Sequence, residues 1–521
     1  MFKIGRLLTS QATSLPRPRS DSAGSAAGPL HKPVFTVFAG FLLLCAISLC
    51  AGSSLSIGFL FERNYNEGWN VYNVQRLLDH EVIYDDNYWR INNYPIVSFL
   101  IIAGANFLVH DPLICGRIVA LISLAVIGLL AAIATRSFGG DRIGAIFGSG
   151  CTLGFCYLVA PAWIMVDDPQ TLGEAVMLGG LVSYLSRSPG RLKLLFSALL
   201  VVLAGFIKHN LVAIPLAIAF DLAIRSPRRL LFWLLCCAGF AAGFLGLTQI
   251  VAGGTFIDHL LSPRILTWYG VRYHLMKYLR LFKFPLVVII LLSPVVSSDR
   301  RRLLAAWGIV SITFAAIFSG FEGTSYNMFQ DAAVFLGIAA SVTFCELRKR
   351  LSGEGIIRGR FAAIALGVLT LFLAQPILAK SAEAFRQIYY SGAVLKFNQN
   401  AEAAFLSEAE YVSQRHGPAI CENLLLCYTA GKPFILDPFN SRQYILAGKL
   451  DQVGLIRRIA AHEFGVIQVR ADICDDPAAA SCHILHYPQK FNRFTDETLY
   501  AIDRYYKIES RSQDGTFYVP K

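Results

Sequence analysis

The chain has 521 residues, 55% of them hydrophobic and only 16% charged, with a mean hydropathy of +0.51. A soluble domain carries about a quarter charged residues, so a wholly soluble protein is excluded, and repeated apolar runs of spanning length read as a polytopic membrane protein. The net charge of +12 is then the positive-inside bias of membrane proteins, and no nucleic-acid partner is expected.

Residues 1–33 are polar and rich in Ser, Pro and Ala, the composition of a disordered tail, which we expect to be cytoplasmic. The run 34–60 is too long for a signal-peptide core and reads as an uncleaved anchor. Further apolar runs cover 95–110, 113–135, 143–165, 170–186, 192–207, 211–225, 229–251, 284–296, 303–320, 331–346 and 361–380. Basic residues fall between them: Arg136 and Arg142; Arg187, Arg191 and Lys193; Arg225, Arg228 and Arg229; Arg300, Arg301 and Arg302; and Arg348, Lys349, Arg350, Arg358 and Arg360. If every run spans, Arg136 and Arg142 land on the wrong side. If the short, Pro-led segment "YPIVSFLIIAGANFLVHDP" lies on the outer surface, every cluster falls inside. The expected fold is an α-helical polytopic bundle of about eleven transmembrane helices over 34–382, with the N-terminus in and the C-terminus out.

Residues 383–521 differ. "PAIC", "ENLLLCYTAG", "QVGLIRRIAAHEF", "GVIQVR", "DETLYAIDRYY" and "TFYVP" alternate as in a small α/β extramembrane domain. "AGKPFILDP" reads as a helix end, a turn and a strand. Its Gly431–Lys432 pair lacks the spacing of a phosphate loop. Of twelve cysteines, eight lie in apolar runs as packing residues. The other four, Cys421, Cys427, Cys474 and Cys482, fit disulfides in an oxidising compartment. Proximity favours Cys421–Cys427 and Cys474–Cys482, although three pairings are open and a zinc site is the less favoured alternative.

This topology gathers the unusual polar residues on one side. Glu67, in "RNYNEGWNVYNVQRLL", follows the first span among Tyr65, Trp69 and Tyr72; an isolated carboxylate there needs solvation or a task. Asp167 and Asp168 sit between an apolar run and Pro169. One aspartate suffices to cap a helix, so the second is free to orient a hydroxyl-rich ligand or, with the first, to hold Mg²⁺ or Mn²⁺. Lys208, His209 and Asn210 interrupt an apolar hairpin where the charge rule supplies no reason for a lysine. They suit a phosphate, against the plainer reading of a snorkelling turn. Tyr326 and Asn327 in "SGFEGTSYNMFQDAA" suit sugar hydroxyls. The loop 252–283 adds Arg264 among cations and aromatics.

In order and sidedness these motifs resemble the polytopic GT-C glycosyltransferases that use polyprenyl-phosphate sugars, including bacterial proteins loosely grouped with glycosyltransferase family 39. The residues carrying the resemblance are "NEGWNVYNVQRLL", "NYPIVSFLIIAGANFLVHDPLICGRIVAL" with Arg117, "VDDPQ", "FIKHN", "YNMFQDAA" and the tail "LCYTAGKPFILDP…YYKIES…FYVP". The resemblance covers about 60–521. It implies transfer of a sugar from a polyprenyl-phosphate donor to an acceptor hydroxyl on an envelope glycolipid, polysaccharide or protein, with inversion, at the periplasmic face of a bacterial inner membrane. Glu67 is the implied general base, and Asp167 or Asp168 orients the acceptor or holds a metal. Lys208, His209 and Arg264 receive the donor phosphate, and Tyr72, Arg117, Tyr326 and Asn327 contact substrate. The rivals are a lipid or sugar transporter or flippase, which predicts charged positions in mid-span, and a non-catalytic assembly protein. Neither H-E-x-x-H nor G-x-S-x-G occurs.

Overall fold

The computed structural model describes residues 31–186, 190–352, 360–470, 472–474, 482–484, 493–512 and 515–521. The tail expected to be disordered lies outside the described residues. Helix α1 (His31–Ser54) is followed by α2 (Tyr65–Leu78), α3 (Val97–Val109), α4 (Pro112–Ser137), α5 (Arg142–Val159), α6 (Pro169–Tyr184), α7 (Arg191–Ile207), α8 (Ala213–Arg225) and α9 (Pro227–Ala252). After the short α10 (Phe256–Leu260) come α11 (Trp268–Leu281), α12 (Lys283–Leu292), α13 (Ser298–Phe318), α14 (Gln330–Ser352), α15 (Arg360–Leu378) and α16 (Ser381–Tyr389). Among the described residues six helices are long and apolar enough to cross a membrane, or seven if the bent pair α15–α16 is one span. By this measure the count is below eleven because runs such as 170–186, 192–207 and 211–225 form helices of only 16, 17 and 13 residues. The segment 95–110 forms α3, of 13 residues, too short to span. The chain is a multi-pass membrane protein.

Helix α14 is the axis of the bundle, with α5, α4, α13 and α12 packed on it. Its apolar positions are buried on all sides, as a helix inside a bundle requires. Between α4 and α14 the hydroxyls of Thr135 and Ser341 meet at 2.6 Å, an interhelical hydrogen bond between two fully buried side chains. Helix α9 instead shows Leu231, Leu234, Leu235, Leu247, Ile250 and Val251 to the surroundings, as a lipid-facing helix does.

Arginine clusters meet at one end of the bundle. Arg348 pairs with Asp141, Arg300 with Glu346 at 2.9 Å, and Arg225 with Asp299 at 3.8 Å. Helix α13 starts in this cluster at Ser298 and ends at Phe318, beside the loops that carry Lys208 and Asn327. The two ends of the bundle are therefore chemically distinct.

Beyond α17 (Ser391–Ser413), the remaining chain folds as an α/β unit. A mixed four-stranded sheet has the order β1 (Ala419–Cys421), β2 (Val466–Val469), β6 (Thr516–Pro520) and β5 (Tyr506–Arg511), with β1 and β2 parallel and the other pairs antiparallel. β3 (Asp472–Cys474) and β4 (Cys482–Ile484) form a separate parallel pair. Helices α18 (Leu424–Thr429), α19 (Pro438–Leu446), α20 (Val453–Ala460) and α21 (Asp496–Tyr505) connect the strands. "KPFIL" is not a strand. Phe434 stacks on Tyr72 at 4.7 Å and the Asp437 amide bonds the Trp89 carbonyl, so the segment docks on the loops instead of pairing in the sheet. Cys421 and Cys427 form a disulfide. The side chains of Cys474 and Cys482 lie outside the described residues.

Candidate active site

Helix α2 starts with a capping box. Asn64 accepts from the helix amides, and Glu67 reaches back to the amides of Arg63 at 2.8 Å and Asn64 at 3.3 Å. The same carboxylate takes a two-pronged ion pair from Arg117 of α4, with Nε to Oε1 at 2.7 Å and Nη2 to Oε2 at 2.8 Å, and the Asp167 amide at 3.3 Å. Arg117 also donates to the carbonyls of Phe59 and Phe61. Both side chains are 0% exposed. The expectation of Glu67 as an accessible base is corrected: its lone pairs are committed, and it joins α2, α4 and two loops. Two glycines permit the closeness. A Cβ on Gly116 would strike the Asp167 carboxyl, and one on Gly68 the Leu425 backbone of α18.

The aspartates diverge. Asp167 is buried against α4, and its Oδ2 has no partner among the described residues. Burial, with Glu67 and Asp168 beside it, pushes its carboxyl well above the usual range. Asp168 caps α6, with Oδ1 accepting the Gln170 amide. Its Oδ2 accepts from Asn66 Nδ2 at 2.9 Å and Tyr94 Oη at 3.4 Å and lies 3.6 Å from Lys208 Nζ. The two carboxyls diverge, and the one at the cavity side already faces the Lys208 ammonium at 3.6 Å, where a cation such as Mg²⁺ or Mn²⁺ would be repelled. Among the described residues no group of three His, Cys, Asp or Glu is placed to hold a metal.

Lys208 ends α7 and lies over the Tyr94 ring at 3.5 Å. Burial pulls its ammonium down to about 8, against the pull of Asp168. His209 is exposed at the cavity wall, flanked by the cations Lys208 and Arg264. Burial and Asp168 raise the Tyr94 phenol, which stays an O–H donor.

These groups border two adjoining cavities. One, of about 280 Å³, lies against the C-terminal unit and is lined by Tyr65, Asn66, Trp163, Arg264, Asp437 and Arg493, among others. The second, of about 380 Å³, includes Lys208, His209, Arg264, Asn327 and the apolar Leu261, Phe318 and Phe321. Asn66, Asn93, Tyr94, Trp163 and Arg264 line both. Arg264 crosses the Phe439 ring at 4.5 Å and donates to Asn440 Oδ1 at 3.0 Å. An apolar groove of about 420 Å³ between α7, α9 and α10 shares His209 and Leu260 with the second cavity.

Lys208, His209, Arg264 and Asn327 thus reach a cavity wall, and Asp168 lies directly behind Asn66, Tyr94 and Lys208. Tyr72 is spent on Tyr428, Phe434 and the Lys432 carbonyl. Tyr326 lies beneath Lys277 at 3.6 Å and beside His274. Neither Tyr72, Tyr326 nor Arg117 lines these cavities. Sequence reasoning missed Asn66, Tyr94, Asp437 and Arg493. Asp437 had a readable signal: "LDP" repeats the Asp-Pro helix start of "VDDP", and Asp437 caps α19 as Asp168 caps α6. Its buried carboxyl also accepts the Tyr65 hydroxyl at 2.7 Å. Glu174 was likewise unforeseen. It is buried six residues into α6, with neither oxygen bonded among the described residues.

The fold is shared with solved structures of ArnT. ArnT from Cupriavidus metallidurans bound to undecaprenyl phosphate superposes with a TM-score of 0.54 at 12% identity, over 93% of this chain and 97% of that one. The same protein in the apo state gives 0.57 at 11%, with the same coverage. At these identities the likeness is one of fold. No family model and no curated protein matches the chain.

Proposed function

We propose that the protein is a membrane glycosyltransferase that moves a sugar from a polyprenyl-phosphate donor to an acceptor hydroxyl. The observation that carries this reading is the apolar groove running into a cavity bordered by Lys208, His209 and Arg264. A donor with an apolar tail, a phosphate and a sugar matches that sequence of environments, and ArnT, of the same fold, has been seen with undecaprenyl phosphate. The tail lies between α7 and α9. The phosphate meets Arg264, a fixed cation at the junction of the cavities, with His209 as a hydrogen-bond partner. The sugar enters the polar cavity between Trp163, Tyr65 and Asn440.

Asp168 takes the base role first expected of Glu67. It lies one side chain behind the junction, held there by Asn66, Tyr94 and Lys208, whereas Asp437, which lines the polar cavity, is spent on Tyr65 and the start of α19. Closing around substrate brings such a group into contact. The acceptor oxygen loses its proton to Asp168 and bonds the anomeric carbon as the carbon–phosphate oxygen bond breaks, inverting that centre. Arg264 receives the charge on the leaving phosphate. The acceptor is an envelope glycolipid, polysaccharide or protein. The arginine-rich end supports a cytoplasmic assignment for that end, leaving the cavities and C-terminal unit on the periplasmic side of a bacterial inner membrane.

The test supplies radiolabelled polyprenyl-phosphate sugars to membranes holding wild type, Asp168→Asn or Arg264→Gln at matched levels. Wild type labels an endogenous acceptor and both variants lose the transfer. Consumption of no donor by wild type sinks the reading.

A further inference from the structure

A second lipid-facing recess lies away from the cavities. Helices α12 and α13 both pack on α14 and leave between them a groove of about 440 Å³, with walls including Leu286, Ile290 and Ile309 and a floor that includes Phe335 and Ala339. Its mouth is at the arginine end, where Arg301, Ser293 and Thr343 are its polar lining residues. The neighbouring arginines are committed: Arg300 pairs with Glu346 at 2.9 Å, Arg302 with Asp299 at 2.6 Å, and Arg350 donates to the Val295 carbonyl at 2.9 Å. Among the described residues no carboxylate pairs with Arg301. From Arg301 to Thr313 the groove follows twelve residues of α13, about 18 Å at the helical rise, close to the roughly 15 Å of hydrocarbon in one leaflet.

We infer that this groove is a binding site for one anionic glycerophospholipid of the leaflet at the arginine end. An acyl chain fills the apolar trough, the phosphate pairs with Arg301, and Ser293 and Thr343 serve the ester and glycerol oxygens. Three features select this occupant: an open apolar trough, a length matching one leaflet, and an uncompensated guanidinium where a headgroup sits. A neutral lipid would leave Arg301 without a counter-charge, and a free phosphate would leave the trough unfilled. The site is independent of the transfer reaction, whose groove opens between α7 and α9.

The test titrates full-length protein in detergent with dioleoylphosphatidylglycerol or dioleoylphosphatidylcholine and counts bound lipid by native mass spectrometry. Wild type prefers phosphatidylglycerol on the order of 5-fold, the worth of one basic side chain near a charged headgroup. Arg301→Gln removes the preference while keeping the weaker binding. Ala305→Phe, at an exposed position lining the trough, lowers binding of both lipids, and Ile309→Trp repeats this test at a second exposed wall position. Glycerol 3-phosphate does not compete. Equal binding of the two lipids by wild type, a preference that survives Arg301→Gln, or trough-filled variants that bind as wild type would each overturn the assignment.

Discussion

Two buried ion pairs lie on neighbouring elements and have opposite characters. Glu67–Arg117 is sealed, two-pronged and saturated by seven backbone groups: the carboxylate takes three amides and the guanidinium donates to the Ser56, Ile57, Phe59 and Phe61 carbonyls. Asp168–Lys208 is looser, at 3.6 Å, and its surroundings are the amide, phenol and ring that line the cavities. A charge whose hydrogen-bonding capacity is used up inside the protein has become architecture. One that keeps a long contact beside an open cavity retains capacity for a substrate.

The largest expected effect breaks the sealed pair. Arg117→Met leaves Glu67 buried without its counter-charge and unties the loop 56–61, costing about 3–5 kcal/mol. Loss of the folded peak in size-exclusion chromatography, or a collapsed melting temperature, is the expected outcome; a variant that folds and melts like wild type would show that the pair is not architecture. Asp168→Asn is the counterpart. Asparagine keeps the helix cap but leaves the buried Lys208 without its counter-charge, so stability falls by about 1–3 kcal/mol, less than for the sealed pair, while transfer falls about 10²–10⁴-fold if Asp168 is the base. Retained transfer in that variant removes Asp168 from the chemistry.

The broad fold was legible in the sequence where the physics is local. Apolar runs marked the helices, and the short, Pro-led run at 95–110 forms a helix of only 13 residues; the arginine clusters around Arg136–Arg142, Arg300 and Arg348 do meet at one end. Proximity alone favoured Cys421–Cys427. The failures share a cause. Glu67 and Tyr72 carry residue types that suit a site, but whether a side chain is spent internally depends on partners far along the chain, Arg117 for one and Phe434 for the other. Asp437 and Arg493 were missed for the same reason: the C-terminal unit folds back to form one wall of the cavity, a long-range contact that no local pattern encodes. "KPFIL" has strand composition, yet its aromatic docks on α2, and tertiary packing overrode propensity.

Acidity sharpens the comparison further. Lys208 carries its proton below about 8, so the pair with Asp168 is intact at neutral pH and is lost as pH rises through that value. The pH–rate profile should fall on its alkaline side near 8, and Lys208→Arg, which cannot deprotonate in this range, should move that limb to higher pH. An unchanged limb in the arginine variant would assign it to another group.

The smallest effect belongs to a residue that the sequence nominated and the cavity does not use. Tyr326 packs against Lys277, His274 and Tyr273 of α11, away from both cavities. Tyr326→Phe keeps the ring beneath Lys277 and removes only the hydroxyl, so stability should change by less than about 1 kcal/mol and transfer should stay within about 2-fold, since 0.4 kcal/mol is all that factor represents. Asn327, its sequence neighbour, does line the cavity and keeps an unbonded Oδ1 among the described residues. Asn327→Ala should therefore raise KM for the donor or acceptor while Tyr326→Phe does not. Reversal of that order would mean that the short helical turn carrying both residues rotates when substrate binds.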